Sequence, residues 1–258
     1  MAPSQFKDHF SGRSADYTLY RPTYPSELFS WLAGLTDRHD LAWDCGCGSG
    51  QAALELVHHY KGVIATDPSR QQIDNAIPHE RIRYAVATAE DSGLEPASID
   101  LVVVAQALHW FDFGRFYAEV ERVTRPGGVL AAISYGEVRV AGAPDPVVSR
   151  FYHDLIGPYW PAERRYVDER YATIPFPFPE ITAPPFAMTA EWNLEHLLGY
   201  LGTWSAVKEY EKRNGSDPLK MIEAELAAAW GEPGDARRIT WPLFLRVGRV
   251  GGAVNSEK

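Results

Sequence analysis

From residue 41 to about 135, short apolar runs alternate with segments whose apolar residues recur every three or four positions. The runs Leu41 to Cys45, Val63 to Thr66, Ile82 to Val86, Ile99 to Ala105 and Val129 to Ser134 have strand length and carry many β-branched residues. Between them, Gln51 to Tyr60 places Ala52, Ala53, Leu56 and Val57 on one helical face. Ser69 is positioned to cap a second helix through Ile77, and Asp112 a third that turns Phe113, Phe116, Val120 and Val123 inward. Arg125-Pro126-Gly127-Gly128 stops that helix before the next strand. Strands alternating with helices in this way predict a parallel sheet covered by helices.

The rhythm breaks from Gly136 to about Pro185, where Pro175-Phe176-Pro177-Phe178-Pro179 and Pro184-Pro185 predict an extended, wrapped excursion. Two helical patterns follow, Leu194 to Leu201 and Leu219 to Trp230, separated by Asn214-Gly215-Ser216-Asp217-Pro218. Ile239 to Val247 reads as a closing strand, and residues 251–258 as a frayed tail. The chain thus divides, within one domain over 1–250, into an N-terminal cap segment (1–40), a core (41–135), an insertion with cap helices (136–235) and a final strand (236–250).

A chain of 258 residues with 45% hydrophobic content is long enough to bury a large core of this kind. Its net charge of −9 and dispersed arginines exclude the basic footprint of a nucleic-acid binder. No run approaches the roughly twenty apolar residues of a membrane span, and the N-terminal residues lack a signal peptide's apolar block, so a cytoplasmic location without a membrane partner is expected. The only cysteines, Cys45 and Cys47, are too close for a relaxed disulfide and too few for a zinc site, so no metal is expected. A small molecule is the expected partner.

The candidate chemistry begins at Asp44-Cys45-Gly46-Cys47-Gly48-Ser49-Gly50, a turn joining the first strand to the first helix. Its three glycines let the backbone approach a ligand and aim helix N-terminal amides at polar groups. A dinucleotide-binding turn needs a glycine or alanine at position 51, where Gln51 stands, and lacks an acidic residue two before the first glycine. Asp67 ends the second strand about twenty residues beyond the turn, the offset at which a carboxylate accepts both hydroxyls of a ribose; it is also placed to cap the next helix.

An acidic strand end followed by Gly-x-Gly-x-Gly resembles the first motif of class I methyltransferases that use S-adenosylmethionine. Ala87-Thr88-Ala89-Glu90 is similar to that family's adenine segment, with Thr88 where an aspartate usually stands. Ala107-Leu108-His109-Trp110-Phe111, Tyr20-Arg21-Pro22-Thr23-Tyr24-Pro25 and Thr203-Trp204-Ser205 resemble the type 11 subgroup that includes trans-aconitate methyltransferase. The resemblance implies a Rossmann-like α/β fold: a seven-stranded, mainly parallel sheet with the last strand antiparallel, helices on both faces and a helical or irregular cap. It also implies that Asp44, Gly46, Cys47, Gly48, Gly50, Asp67, Pro68, Thr88, Ala89, Gln106 and Arg21 hold S-adenosylmethionine, and that Tyr17, Tyr24, Trp110 and Trp204 line an aromatic acceptor chamber.

A sulfonium methyl carries partial positive charge, which an aromatic face stabilises by about 0.5 to 2 kcal/mol. Most of the acceleration comes from holding nucleophile, methyl carbon and sulfur in line. A carboxylate acceptor needs no base, and the subgroup resemblance favours one. A hydroxyl or ammonium acceptor needs proton removal, for which His109 is the candidate; the alternative is a histidine that orders its loop. Arg21 is placed to grip a carboxylate bidentately. Arg164 and Arg165, among Glu163, Asp168 and Glu169, read as a solvated helix face, and His58-His59 as surface residues. Two other readings are a nicotinamide-dependent dehydrogenase, against which Gln51 counts, and a catalytically silent cofactor-binding protein.

Overall fold

The computed structural model describes residues 22–251; Tyr17 and Arg21 lie outside them. Five parallel strands, β1 (Leu41–Cys45), β2 (Gly62–Asp67), β3 (Ile82–Val86), β4 (Ile99–Ala105) and β5 (Thr124–Tyr135), run in the spatial order β3-β2-β1-β4-β5. The sheet continues through β8 (Arg237–Arg249), antiparallel to β5, and β7 (Phe186–Trp192), antiparallel to β8 and therefore parallel to the first five. A two-residue strand, β6 (Arg139–Val140), makes the total eight rather than seven. Thr240 pairs with both Arg139 and Thr189, and Leu243 with both Tyr135 and Phe186, so β5 and β6 flank one edge of β8 and β7 the other.

Alternation along the strands separates two cores. Ala42, Val63, Val103 and Ala131 face α1 (Ser26–Ala33) and α2 (Gln51–Leu56), whereas Trp43, Ile64, Val102 and Leu130 face α4 (Phe113–Val123). Ser69 caps α3 (Arg70–Asp74) by accepting from the Gln72 amide at 3.4 Å, and Asp112 caps α4 by accepting from Arg115 at 3.2 Å. α3 stops short of Ile77, which precedes Pro78 and is thereby driven out of the helical region. Helix α4 ends at Val123, and Arg125 to Gly128 then form a bulge: Ile99 pairs with Thr124 but Leu101 with Val129.

The excursion after β5 is more helical than its proline content implies. It contains α5 (Asp145–Arg150), a π-helical turn (Phe151–Leu155), a 3₁₀ turn (Gly157–Tyr159) and α6 (Arg164–Asp168) before it becomes extended. Val147, Val148, Phe151 and Tyr152 are buried, a helical spacing that the surrounding prolines obscured. α7 (Leu194–Gly202), α8 (Ser205–Asn214) and α9 (Glu223–Trp230) complete the chain's helices among the described residues. α8 had no counterpart in the sequence reading because only Ala206 and Val207 of it are buried. No helix among the described residues is long and apolar enough to cross a membrane.

Candidate active site

The glycine turn is bolted to β2. The amides of Gly46 and Cys47 donate to the Thr66 carbonyl at 2.8 and 2.9 Å, and Gly46, Gly48 and Gly50 have φ of 70°, 55° and 89°. A Cβ built on Gly46 would stand 2.6 Å from that of Ala107 and 3.2 Å from the Phe111 ring, so the loop after β4 presses directly on the turn. Tyr84 from β3 closes in on Gly50 in the same manner. Gly48 by contrast faces open space, with nothing nearer than Gln72 Oε1 at 3.9 Å.

Asp44 is completely buried at the end of β1. Its Oδ2 accepts from the Ala53 amide at 2.9 Å, while Oδ1 has no partner. Burial, with a smaller contribution from the charge on Asp67, pushes its carboxyl up to about 7. Asp67 Oδ2 accepts from the Gly48 amide at 2.9 Å and Oδ1 from Ser69 at 2.8 Å, tying the turn to the start of α3 through Pro68. These two backbone bonds give Asp67 a structural role in the turn. Cys45 and Cys47 are free thiols, both pushed well up by burial first and by neighbouring acidic groups second.

Polar atoms with unused capacity collect at the carboxyl ends of the strands. Gln106, directly after β4, adopts φ of 56°, donates Nε2 to the Tyr135 carbonyl at 2.8 Å and leaves Oε1 buried without a partner. Ser134 Oγ and Glu137 Oε1, at and just beyond the end of β5, are likewise buried and unpaired. Each such atom costs about 1 to 3 kcal/mol unless a ligand satisfies it. Carboxyl strand ends are where open α/β sheets bind ligands. Beside β3, Thr88 bridges to Asp91, Ala89 is buried, and Glu90 accepts from the Asp112 amide at 2.9 Å.

His109 lies in the 3₁₀ turn Leu108–Trp110 and is 8% exposed. Its Nδ1 meets the Tyr171 hydroxyl at 2.8 Å and its ring packs on Trp110 at 4.8 Å. Burial first, and the charge of Arg164 second, push it down from 6.5 to about 3. A folded value depressed in this way contributes stability that is present above about 6.5 and lost as pH falls through about 3. His109→Gln should therefore flatten the loss of stability between pH 6.5 and 4, as read by urea unfolding at a series of pH values; an unchanged acid limb would show that the imidazole is not held neutral.

The other expected residues are dispersed over several elements. Tyr24 is buried edge-on against Phe29 at 6.1 Å. Trp204, also buried, stacks on Phe151 at 6.2 Å and packs against Tyr152 and Trp160 at 5.5 and 5.7 Å. The sequence reading of Arg164 is corrected: Arg165 is exposed, but Arg164 is folded inward over Trp160 and Tyr152. Tyr152, Trp160 and Tyr171 were not singled out either, since contacts between an insertion and a distant strand end leave no local pattern. Arg170 and Tyr171 have consecutive positive φ of 56° and 60°, and that kink delivers the Tyr171 hydroxyl to His109.

Comparison with known proteins gives a consistent result. Residues 43–132 match the family model for a methyltransferase domain of type 11. A protein of Dictyostelium discoideum that carries the name of a methyltransferase is 35% identical over 250 residues, covering 94% of this chain and 95% of that one. A solved structure from Anaeromyxobacter dehalogenans, named as a type II methyltransferase, is 52% identical with a TM-score of 0.84, covering 89% of this chain and 97% of that one. A Saccharomyces cerevisiae protein named as an S-adenosylmethionine-dependent methyltransferase is 33% identical over 130 residues, 46% of this chain and 44% of its own length.

Proposed function

The chain belongs to the S-adenosylmethionine-dependent methyltransferases of type 11, and from that premise we propose that its acceptor is a small molecule methylated on a carboxylate. Membership in this family displaces the dehydrogenase reading. The observation that carries the proposal is His109: at the strand end where a base would act, the imidazole is buried, neutral and already bonded to Tyr171. A group with so little basicity gives little driving force for removing a proton near neutral pH. An acceptor that is already an anion makes no such demand.

The residues present fit the cofactor. Asp44 Oδ1 is an orphaned acceptor beside a turn open at Gly48, suited to a ligand N–H donor, and a carboxylate at the end of the second strand, as Asp67 is, suits a ribose. Thr88 and Ala89 would meet the adenine, and Gln106 Oε1 would take a further donor. When bound, S-adenosylmethionine supplies an electrophilic methyl group on a sulfonium. The chain's own part is to exclude water, to present aromatic faces such as Trp110 and Trp204, and to hold the nucleophile in line. Tyr24 completes the chamber in this proposal.

Mass spectrometry on purified protein with S-adenosylmethionine and separate sets of small acids, phenols and amines tests the reading through gain of one methyl group. An acid should turn over, with a single-turnover rate flat from pH 5 to 9 and little changed in His109→Gln. Turnover confined to phenols or other hydroxyl compounds, with a 10²- to 10⁴-fold loss in His109→Gln, would overturn the carboxylate assignment and restore His109 as the base.

A further inference from the structure

Arg164 occupies an arrangement that packing alone does not require. Its guanidinium carbon lies 4.6 Å from the centroid of the Trp160 ring and 5.3 Å from that of Tyr152. Nε donates to the Tyr152 hydroxyl at 2.8 Å, and that hydroxyl donates to Asp168 Oδ1 at 2.6 Å. Asp168 itself reaches Arg164 only at Nε, at 3.4 Å. Two aromatic faces and two hydrogen bonds from Nε thus fix the plane of the guanidinium, while neither terminal amino group has a hydrogen-bond partner among the described residues. The side chain is only 19% exposed. Both terminal amino groups stay open to water, so the guanidinium presents one pre-oriented N–H fork that an anionic group can meet.

The surroundings place that fork near the chemistry. α6, which carries Arg164, packs against the 3₁₀ turn that carries His109. That turn in turn abuts Gly46 through Ala107 and Phe111. Tyr152 belongs to a π-helical turn, a geometry frequent at functional sites, and the strained pair Arg170–Tyr171 follows α6 directly.

We propose that Arg164 is the specificity-determining residue of the acceptor site, gripping an anionic group of the acceptor with its two terminal amino groups while the acceptor's apolar part lies along Tyr152, Trp160 and Trp204. The proposal rests on the reading that this site takes a small molecule. The group held is distinct from the atom that receives the methyl group, because charge-assisted pairing with a guanidinium stabilises that anion and lowers its nucleophilicity. Acceptors that lack the second anionic group are discriminated against.

The test uses the full-length protein saturated with S-adenosylhomocysteine, titrated calorimetrically with aliphatic and aromatic mono- and dicarboxylic acids and with their primary amides. Wild type should prefer at least one acid to its amide by about 10- to 100-fold. Arg164→Gln should bring that ratio close to one, Arg164→Lys should keep part of it, and Arg165→Gln on the exposed side of the same helix should leave it unchanged. The ratio is taken within each variant, so a partly unfolded preparation does not mimic the effect; if Arg164→Gln does not fold, the drop in Arg164→Lys decides. Absence of any acid preference in wild type, or a preference that survives in the Arg164 variants, overturns the proposal. Arg164-dependent binding of acids without methyl transfer to any of them sinks the carboxylate-methylation reading alone, whereas methyl transfer to an acid unaffected by Arg164→Gln sinks only the role of Arg164.

Discussion

Replacing Asp67 with alanine is expected to weaken S-adenosylmethionine binding by about 1.5 to 3 kcal/mol, roughly 10- to 150-fold, if charge-assisted bonds to the ribose are lost. The substitution also removes the acceptor for the Gly48 and Ser69 amides, at 2.9 and 2.8 Å, and so loosens the turn itself. Asp67→Asn separates the two contributions, because its remaining carbonyl oxygen can still accept one backbone amide. Calorimetry with S-adenosylmethionine, together with thermal unfolding of the unliganded protein, reads both. An unchanged dissociation constant in a folded Asp67→Ala variant would remove Asp67 from the cofactor site and leave it as a cap for α3.

Gly46→Ala should have the largest effect on the fold. The added Cβ would stand 2.6 Å from that of Ala107 in a backbone with φ of 70°, so left-handed strain and overpacking act together. These amount to about 1 to 2 and 1 to 3 kcal/mol respectively, or about 2 to 5 kcal/mol in total. Relief requires the turn and the loop after β4 to separate, which also displaces Gln106 and His109, so cofactor binding should fall with stability. Gly93 is the internal control. Its φ of 67° is similar, but nothing lies within 4 Å of its Cβ position, and Gly93→Ala should cost only the conformational part. Urea midpoints of the two variants check this; equal losses would show that the contact with Ala107 yields without cost.

The first half of the sheet was legible because β1, β2 and β4 are almost uninterrupted buried runs, and β3, though only Ile82 of it is buried, is a short run rich in β-branched residues. β1, β3 and β4 have the bounds their residues predict, and the caps at Ser69 and Asp112 are visible as short polar side chains at helix starts, the second before an apolar stripe. β7 was not named, since it is a strand by virtue of pairing along β8 and its burial is irregular. α8 has so narrow an apolar face that its clearest signals are Gly215, at φ of 68°, and the Glu209–Arg213 pair one turn apart at 2.6 Å. The glycine turn and Asp67 could be found because their chemistry is local to a strand end. Tyr171 and Arg164 could not, because what matters about them is a meeting with His109, 62 residues away from Tyr171 in the chain, and a stack on Trp160 across an irregular segment. Charge density in sequence made Arg164 look solvated; the aromatic rings that cover it decided otherwise.

The segment between β5 and β8 is held at both ends by a single strand. β6 pairs with β8 at Thr240 and Ile239 from one side, and β7 pairs with the same two residues from the other, so residues 139–192 leave and return at one place in the sheet. The π-helical turn, Trp160, Arg164 and Tyr171 lie within that span. Asp44, the glycine turn and Asp67 lie wholly outside it. Two anchor points on one strand make the span separable: replacing residues 139–192 by the corresponding segment of a homologue is expected to change the surroundings of Arg164 while the glycine turn and its bonds to Thr66 and Asp67 stay in place.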